Sequence, residues 1–144
     1  EINDNDTRKL VIDMRKNAGG FEILNPFIES LRNNEKLNKK GNILILTGKR
    51  TFSAAVWTCI EIKQKLNAVF IGEPTGGIVN CGSKPIPVQL QNSKLSLHYS
   101  YEQYALYKEY NGSINPDIEV YLDFHDYMNG IDNVYETAKN YRIE

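Results

Sequence analysis

The chain has 144 residues, a length that suits one compact domain able to bury roughly two-thirds of its unfolded surface. Hydrophobic residues make up 41% and charged residues 24%, as in ordinary globular proteins, and no apolar run approaches the ~20 residues of a membrane span. The net charge of −1 argues against a phosphate-backbone partner, and two cysteines, Cys59 and Cys81, provide neither a disulfide framework nor a zinc spacing.

No targeting signal is visible at the start, where a polar stretch, Glu1 to Asp6, leads almost directly into a strand pattern. A chain taken from something longer is therefore expected. Leu10-Val11-Ile12 reads as a short buried strand, followed by Asp13 and a polar loop closed by Gly19-Gly20. From Phe21 to about Asn33 the residues Phe21, Leu24, Phe27, Ile28 and Leu31 share one helical face. A Lys-rich connection leads to a second buried strand, Ile43 to Leu46, and the loop Gly48-Lys49-Arg50-Thr51. The spacing predicts a second helix from Phe52 to Leu66, with Phe52, Ala55, Val56, Cys59 and Ile60 in phase, then a third buried strand, Ala68 to Ile71.

Strands and helices alternating in this way imply parallel pairing through right-handed crossovers. Beyond Gly82 the pattern changes to alternation, in Lys84 to Leu90 and Leu95 to Tyr99, which predicts an antiparallel hairpin turning at Asn92-Ser93. Ile118-Glu119-Val120 reads as a last short strand and Asp132 to about Tyr141 as a closing helix. The triplet Asn111-Gly112-Ser113 fits a glycosylation acceptor, a pattern that also arises by chance.

Ligands of parallel α/β sheets meet the loops at the carboxyl ends of the strands. Those loops are Asp13 to Gly20, Gly48 to Ser53 and Gly72 to Gly82. Ser53 stands where a buried strand joins an amphipathic helix, with small residues, Ala54 and Ala55, behind it. There the helix macrodipole favours a developing alkoxide, and free first-turn N–H groups can donate to an oxyanion. The plainer reading makes Ser53 or Thr51 an N-cap. Gly19-Gly20 likewise reads either as a tight turn or as backbone open to a ligand.

Four segments resemble one family. Asp13-Met14-Arg15-Lys16-Asn17-Ala18-Gly19-Gly20 is similar to the D-L-R-x-N-x-G-G loop of the S41 serine peptidases, which include the C-terminal processing (tail-specific) and tricorn-core proteases. Phe52-Ser53-Ala54-Ala55 resembles their nucleophile segment, Ile71 to Gly77 their I-G-E-x-T-x-G loop, and Asn115 to Val120 their P-D-I-x-V ending. The resemblance implies an α/β, ClpP/crotonase-like spiral fold with a mainly parallel sheet and a C-terminal antiparallel hairpin. On that basis residues 1–144 would be the C-terminal part of a catalytic domain whose upstream segment is missing.

The implied site has Ser53 as nucleophile, oxyanion donors from the backbone of Ala54 and of Gly19 or Gly20, and Gly76 and Gly77 beside the substrate. The substrate would be a polypeptide, without metal or organic cofactor, in an extracytoplasmic or envelope setting, and an oligomer is compatible. In the processing branch the base is a Lys at the position occupied here by Ile78, so the chain departs from that Ser–Lys pattern. Lys63 lies roughly 15 Å along the helix from Ser53, Lys84 would require the loop to fold back, and Lys49 reads as a solvated loop residue. The tricorn-like branch uses an upstream His and a Glu before the P-D motif. Glu109 matches that Glu, and a solvated surface Glu fits it equally.

His98 reads as a strand residue and His125 lies past the last motif, so the resemblance implies a base on a preceding segment. The aromatic set Tyr99, Tyr101, Tyr104, Tyr107 and Tyr110 suits packing better than a peptide groove. Trp57 and Cys59 read as packing residues, and Cys81 as a thiol with no His placed to activate it. Two rivals stand beside the peptidase: a catalytically inactive peptide- or ligand-binding domain of the same fold, and a crotonase-like acyl-CoA enzyme that would not need Ser53.

Overall fold

The structure, a computed structural model, describes residues 7–20, 25–103, 105 and 107–142. In chain order its elements are β1 (Leu10–Asp13), α1 (Asn25–Arg32), β2 (Ile43–Thr47), α2 (Ala54–Lys65), β3 (Val69–Gly72), β4 (Gly82–Gln89), β5 (Ser96–Gln103), β6 (Ile118–Glu119), α3 (Phe124–Met128) and α4 (Asn133–Asn140). One four-stranded sheet has the order β1-β2-β3-β6, parallel throughout, and β4 pairs with β5 in a separate antiparallel hairpin.

The period-2 geometry of the strands explains why the central ones are apolar without interruption. Ile43, Ile45 and Phe70 point into a core cluster shared with α1 and α2, while Leu44, Leu46, Val69 and Ile71 point to the other face, against Val134 and Ala138 of α4. Both crossover helices lie on one face, as consecutive right-handed crossovers require. Lys65 bridges them through Glu29 of α1 and Glu61 of α2. No helix among the described residues is long and apolar enough to cross a membrane.

Phe21 and Leu24 of the expected first helix lie outside the described residues, as do Tyr104 and the side chain of Lys84. Within the described part Ile28 and Leu31 are buried as expected. In the second helix Ala55, Val56, Cys59 and Ile60 are buried, but Phe52 is 53% exposed. It precedes a sharp turn at Ser53 and so never joins the helical stripe.

Asp117 gives the P-D segment a structural role. Its N–H donates to the Phe70 carbonyl (2.8 Å), its carboxylate accepts from the Phe70 N–H (2.8 Å), and it pairs with Lys63 (3.2 Å). This holds the loop before β6 against β3. At the opposite, carboxyl edge of the sheet, Arg15 donates to both oxygens of Asp13 and to Asp132, the N-cap of α4. Burial pushes the Asp13 carboxyl up, but hydrogen bonding and charge pairing with Arg15 outweigh it and hold the group below its ordinary value. The Arg15 hydrogen bond likewise leads the causes that hold Asp132 low.

Candidate active site

The parallel register brings the carboxyl ends of β1, β2 and β3 to one edge, and the loops that leave them are stitched together. The Thr51 hydroxyl donates to the Met14 carbonyl (2.8 Å) and accepts from the Gly48 N–H (3.1 Å). The Phe52 N–H donates to the Asn17 carbonyl and the Gly77 N–H to the Thr51 carbonyl, each at 3.1 Å. Neither hydroxyl considered as a cap is one: Thr51 is occupied by this bridge, and Ser53 makes no side-chain cap bond to α2.

Ser53 sits at φ 54°, ψ −130°, one of two non-glycine residues with positive φ among those described. Such a conformation costs on the order of 1–3 kcal/mol and persists only where its surroundings enforce it. The surroundings are Gly19, at φ 95°, where a Cβ would come within 2.7 Å of the Ser53 Cβ and 2.9 Å of the Ala54 nitrogen. No residue but glycine fits there without displacing the serine. The paired-glycine turn and Ser53 therefore meet, and Ser53 is only half-buried.

Ala54 opens α2, so its N–H has no carbonyl four residues back in the helix. The Gly19 N–H is held by Asn17 Oδ1 at 3.0 Å, whereas no bond among the described residues holds the Gly20 N–H. Gly76 and Gly77 are close-packing positions. A Cβ on Gly76 would run into the Lys49 carbonyl, and one on Gly77 would lie 2.9 Å from Val56 Cγ2. Their loop thus lies flat against the turn that carries Ser53.

Glu109 is not part of this cluster. Its carboxylate accepts from Gln64 at 3.2 Å, near the far end of α2. Gln64 lies eleven positions beyond Ser53, about 16 Å along the axis. Lys63, turned toward Asp117, is at that far end too. Ile78 is 48% exposed and bridges to Ser113.

His98 lies across from Pro87 on the hairpin. His125 lies on α3 with Asp123 and Asp126, three exposed or half-exposed groups whose ligand atoms come within 4.8 Å of one another. Asp123 already caps α3 through the N–H groups of His125 and Asp126. The Cys59 thiol is pushed up to about 12 by burial and is inert. Tyr107 and Tyr110 meet edge to face at 6.4 Å and pack on the main core, while Tyr99 and Tyr101 remain exposed on β5, so the aromatic set does not form one surface.

The solved structure of a candidate S41 protease from Bacteroides fragilis NCTC 9343 superposes on this chain with a TM-score of 0.51 at 15% identity, covering 92% of this chain and 42% of that one. The chain has the fold of an S41-type protease core. This is the ClpP/crotonase-like arrangement expected from the four segments, with the hairpin inserted between β3 and β6. A serine-to-alanine mutant of CPAF matches over 71% of this chain and 21% of its own, at 19% identity and a TM-score of 0.39, too low to bear on the fold. No protein-family profile and no curated protein sequence matches. The chain spans less than half the length of the S41 protease it resembles.

Two residues build this edge in roles that the sequence does not give them, Asn17 within the glycine loop and Thr51, which reads there only as a cap. Asn17 bonds both glycine turn and Phe52, and Thr51 ties the β1 and β2 loops. An Asn two residues before a glycine pair was the available signal for the first, since Asn side chains commonly accept from the backbone two residues on.

Proposed function

We propose that this chain is the catalytic core of a serine peptidase, with Ser53 as the nucleophile and the N–H groups of Ala54 and Gly20 as oxyanion donors. The observation that carries the reading is the close approach of Gly19 to Ser53, a serine at positive φ immediately before α2. A sharp strand-to-helix turn of this kind lifts a serine hydroxyl clear of a sheet toward an incoming carbonyl.

In the reaction Ser53 Oγ attacks the scissile carbonyl carbon and its proton passes to a general base. The tetrahedral oxyanion is held by the two N–H groups, each worth ~2.7–4 kcal/mol of transition-state stabilisation. The amine leaves with the proton from the base, and water then hydrolyses the acyl ester. Glu109, Lys63 and the two histidines are not that base, because they bond elsewhere or lie on other elements. The substrate is an extended polypeptide.

The displacement of Glu109 from Ser53 favours one alternative, a peptide- or ligand-binding domain that keeps the fold without the reaction. Intact mass of the full-length protein after treatment with a fluorophosphonate separates the two. One adduct, mapped to Ser53 and absent in Ser53→Ala, supports the peptidase. No adduct on folded protein supports the binding domain.

A further inference from the structure

A cavity of about 640 Å³ opens at the same edge of the sheet, on the side of the β2 loop facing α3 and α4. Ser53 is not among its lining residues. Its size falls within the range of small-molecule sites, roughly 300–1,000 Å³. The two sides of the cavity come from different segments of different chemistry. The β1 and β2 loops contribute Lys16, Lys49 and Arg50, and the stretch from Leu122 to Val134 contributes Leu122, Tyr127 and Ile131.

The charges on the basic side are available to a ligand. Arg15, which also lines the cavity, is occupied by Asp13 and Asp132 at 2.7 Å each. Among the described residues no ion pair holds Lys16, Lys49 or Arg50. The remaining carboxylate, Glu73, leaves the lining with more positive than negative groups. The apolar side is equally without cover: Leu122, Tyr127 and Ile131 are all exposed. A cleft lined by unpaired cations of the β1 and β2 loops and by exposed hydrocarbon of Leu122, Tyr127 and Ile131 is matched by a ligand with an anion at one end and an apolar body at the other.

We infer that this cavity is a second ligand site, separate from the Ser53 niche, which takes a small amphiphilic monocarboxylate. Its carboxylate lies against Lys49 and Arg50, where a guanidinium can engage both oxygens. The apolar body lies along Tyr127 and Ile131. The inference does not depend on Ser53 being a nucleophile. The Gly48–Arg50 loop is continuous with Thr51, whose hydroxyl holds the Met14 carbonyl, so an occupant of the cavity would touch a loop that also positions Ser53.

Decanoate is the probe, titrated into the isotopically labelled full chain and followed by amide NMR. Saturable shifts are expected at Gly48 to Arg50 and at Gly130 to Asp132. Decanamide, its neutral counterpart, should bind at least about tenfold more weakly, the effect of losing one charge-assisted hydrogen-bonded contact. That arm needs no variant. The double variant Lys49→Ser, Arg50→Ser changes exposed side chains only and should weaken decanoate by a similar factor. Shifts confined to the exposed apolar face of the hairpin at Leu97 to Tyr101, equal affinity for acid and amide, or absence of saturation would each overturn the inference.

Discussion

The parallel sheet and the β4–β5 hairpin solve the same problem differently. Every residue of β2 and β3 is buried, with hydrocarbon from α1 and α2 on one face and α4 on the other. In the hairpin, Ile86 stands opposite Tyr99 and Val88 opposite Leu97, so the cross-strand pairs put these side chains on one face, and all four are exposed. Pro85 and Pro87 deny β4 two edge donors, which protects that edge from strand addition. A two-stranded hairpin alone is marginally stable. The helices of this chain cover the two faces of the sheet whose carboxyl edge carries Ser53, and the hairpin is left to its own ladder.

The sharpest way to break that comparison is to cut the same kind of side chain in both regions. Ile45→Ala should cost about 2–5 kcal/mol in urea denaturation, because its neighbours on both sides are fixed. Leu97→Ser should change the same transition by less than about 0.5 kcal/mol. Similar costs for the two would show that the hairpin is packed as firmly as the sheet.

A smaller effect sharpens the link between fold and site. Gly19→Ala forces a left-handed alanine against the Ser53 Cβ, which should cost about 1–3 kcal/mol. Fluorophosphonate labelling of Ser53 should fall about a hundredfold in the folded variant, as expected for a misplacement near 1 Å. Unchanged labelling would separate Gly19 from the chemistry.

The smallest effect concerns acid. Asp13 and Asp132 are held below their ordinary values in the folded chain, so their contribution to stability is present above the ordinary carboxylate range, about pH 4. It is lost as pH falls through the depressed folded values. Thermal midpoints measured from pH 7 downward should therefore drop below about pH 4, and Arg15→Met should flatten that part of the curve. A wild-type slope retained in Arg15→Met would show that other carboxylates carry it.

Much of the architecture was legible because it rests on local periodicity. Unbroken apolar runs at Ile43 and Val69 mark doubly covered strands, and alternation after Gly82 marks the hairpin; the run at Leu10 marks a strand too, but β1 is half-buried and not buried as expected, because it lies at the edge of the sheet. Helical phase includes Phe52 in the buried stripe because it cannot register a single left-handed residue at Ser53. The short helix α3 went unread, though Asp123 three residues before Asp126 is a capping signal. Distance along the chain from Ser53 and Pro116 points to Glu109, but that measure is blind to which end of α2 the returning segment reaches.

The strand–helix alternation, with parallel pairing as its consequence, and the candidacy of Ser53 are written in residues a few positions apart. Folding in three dimensions sets the close approach of Gly19 to Ser53, the brace from Asp117 to β3, and the cavity between the basic loops and an apolar segment. Those relations join residues 30 to 120 positions apart in the chain, and their outcome depends on strand register and helix length acting together, which no local pattern encodes.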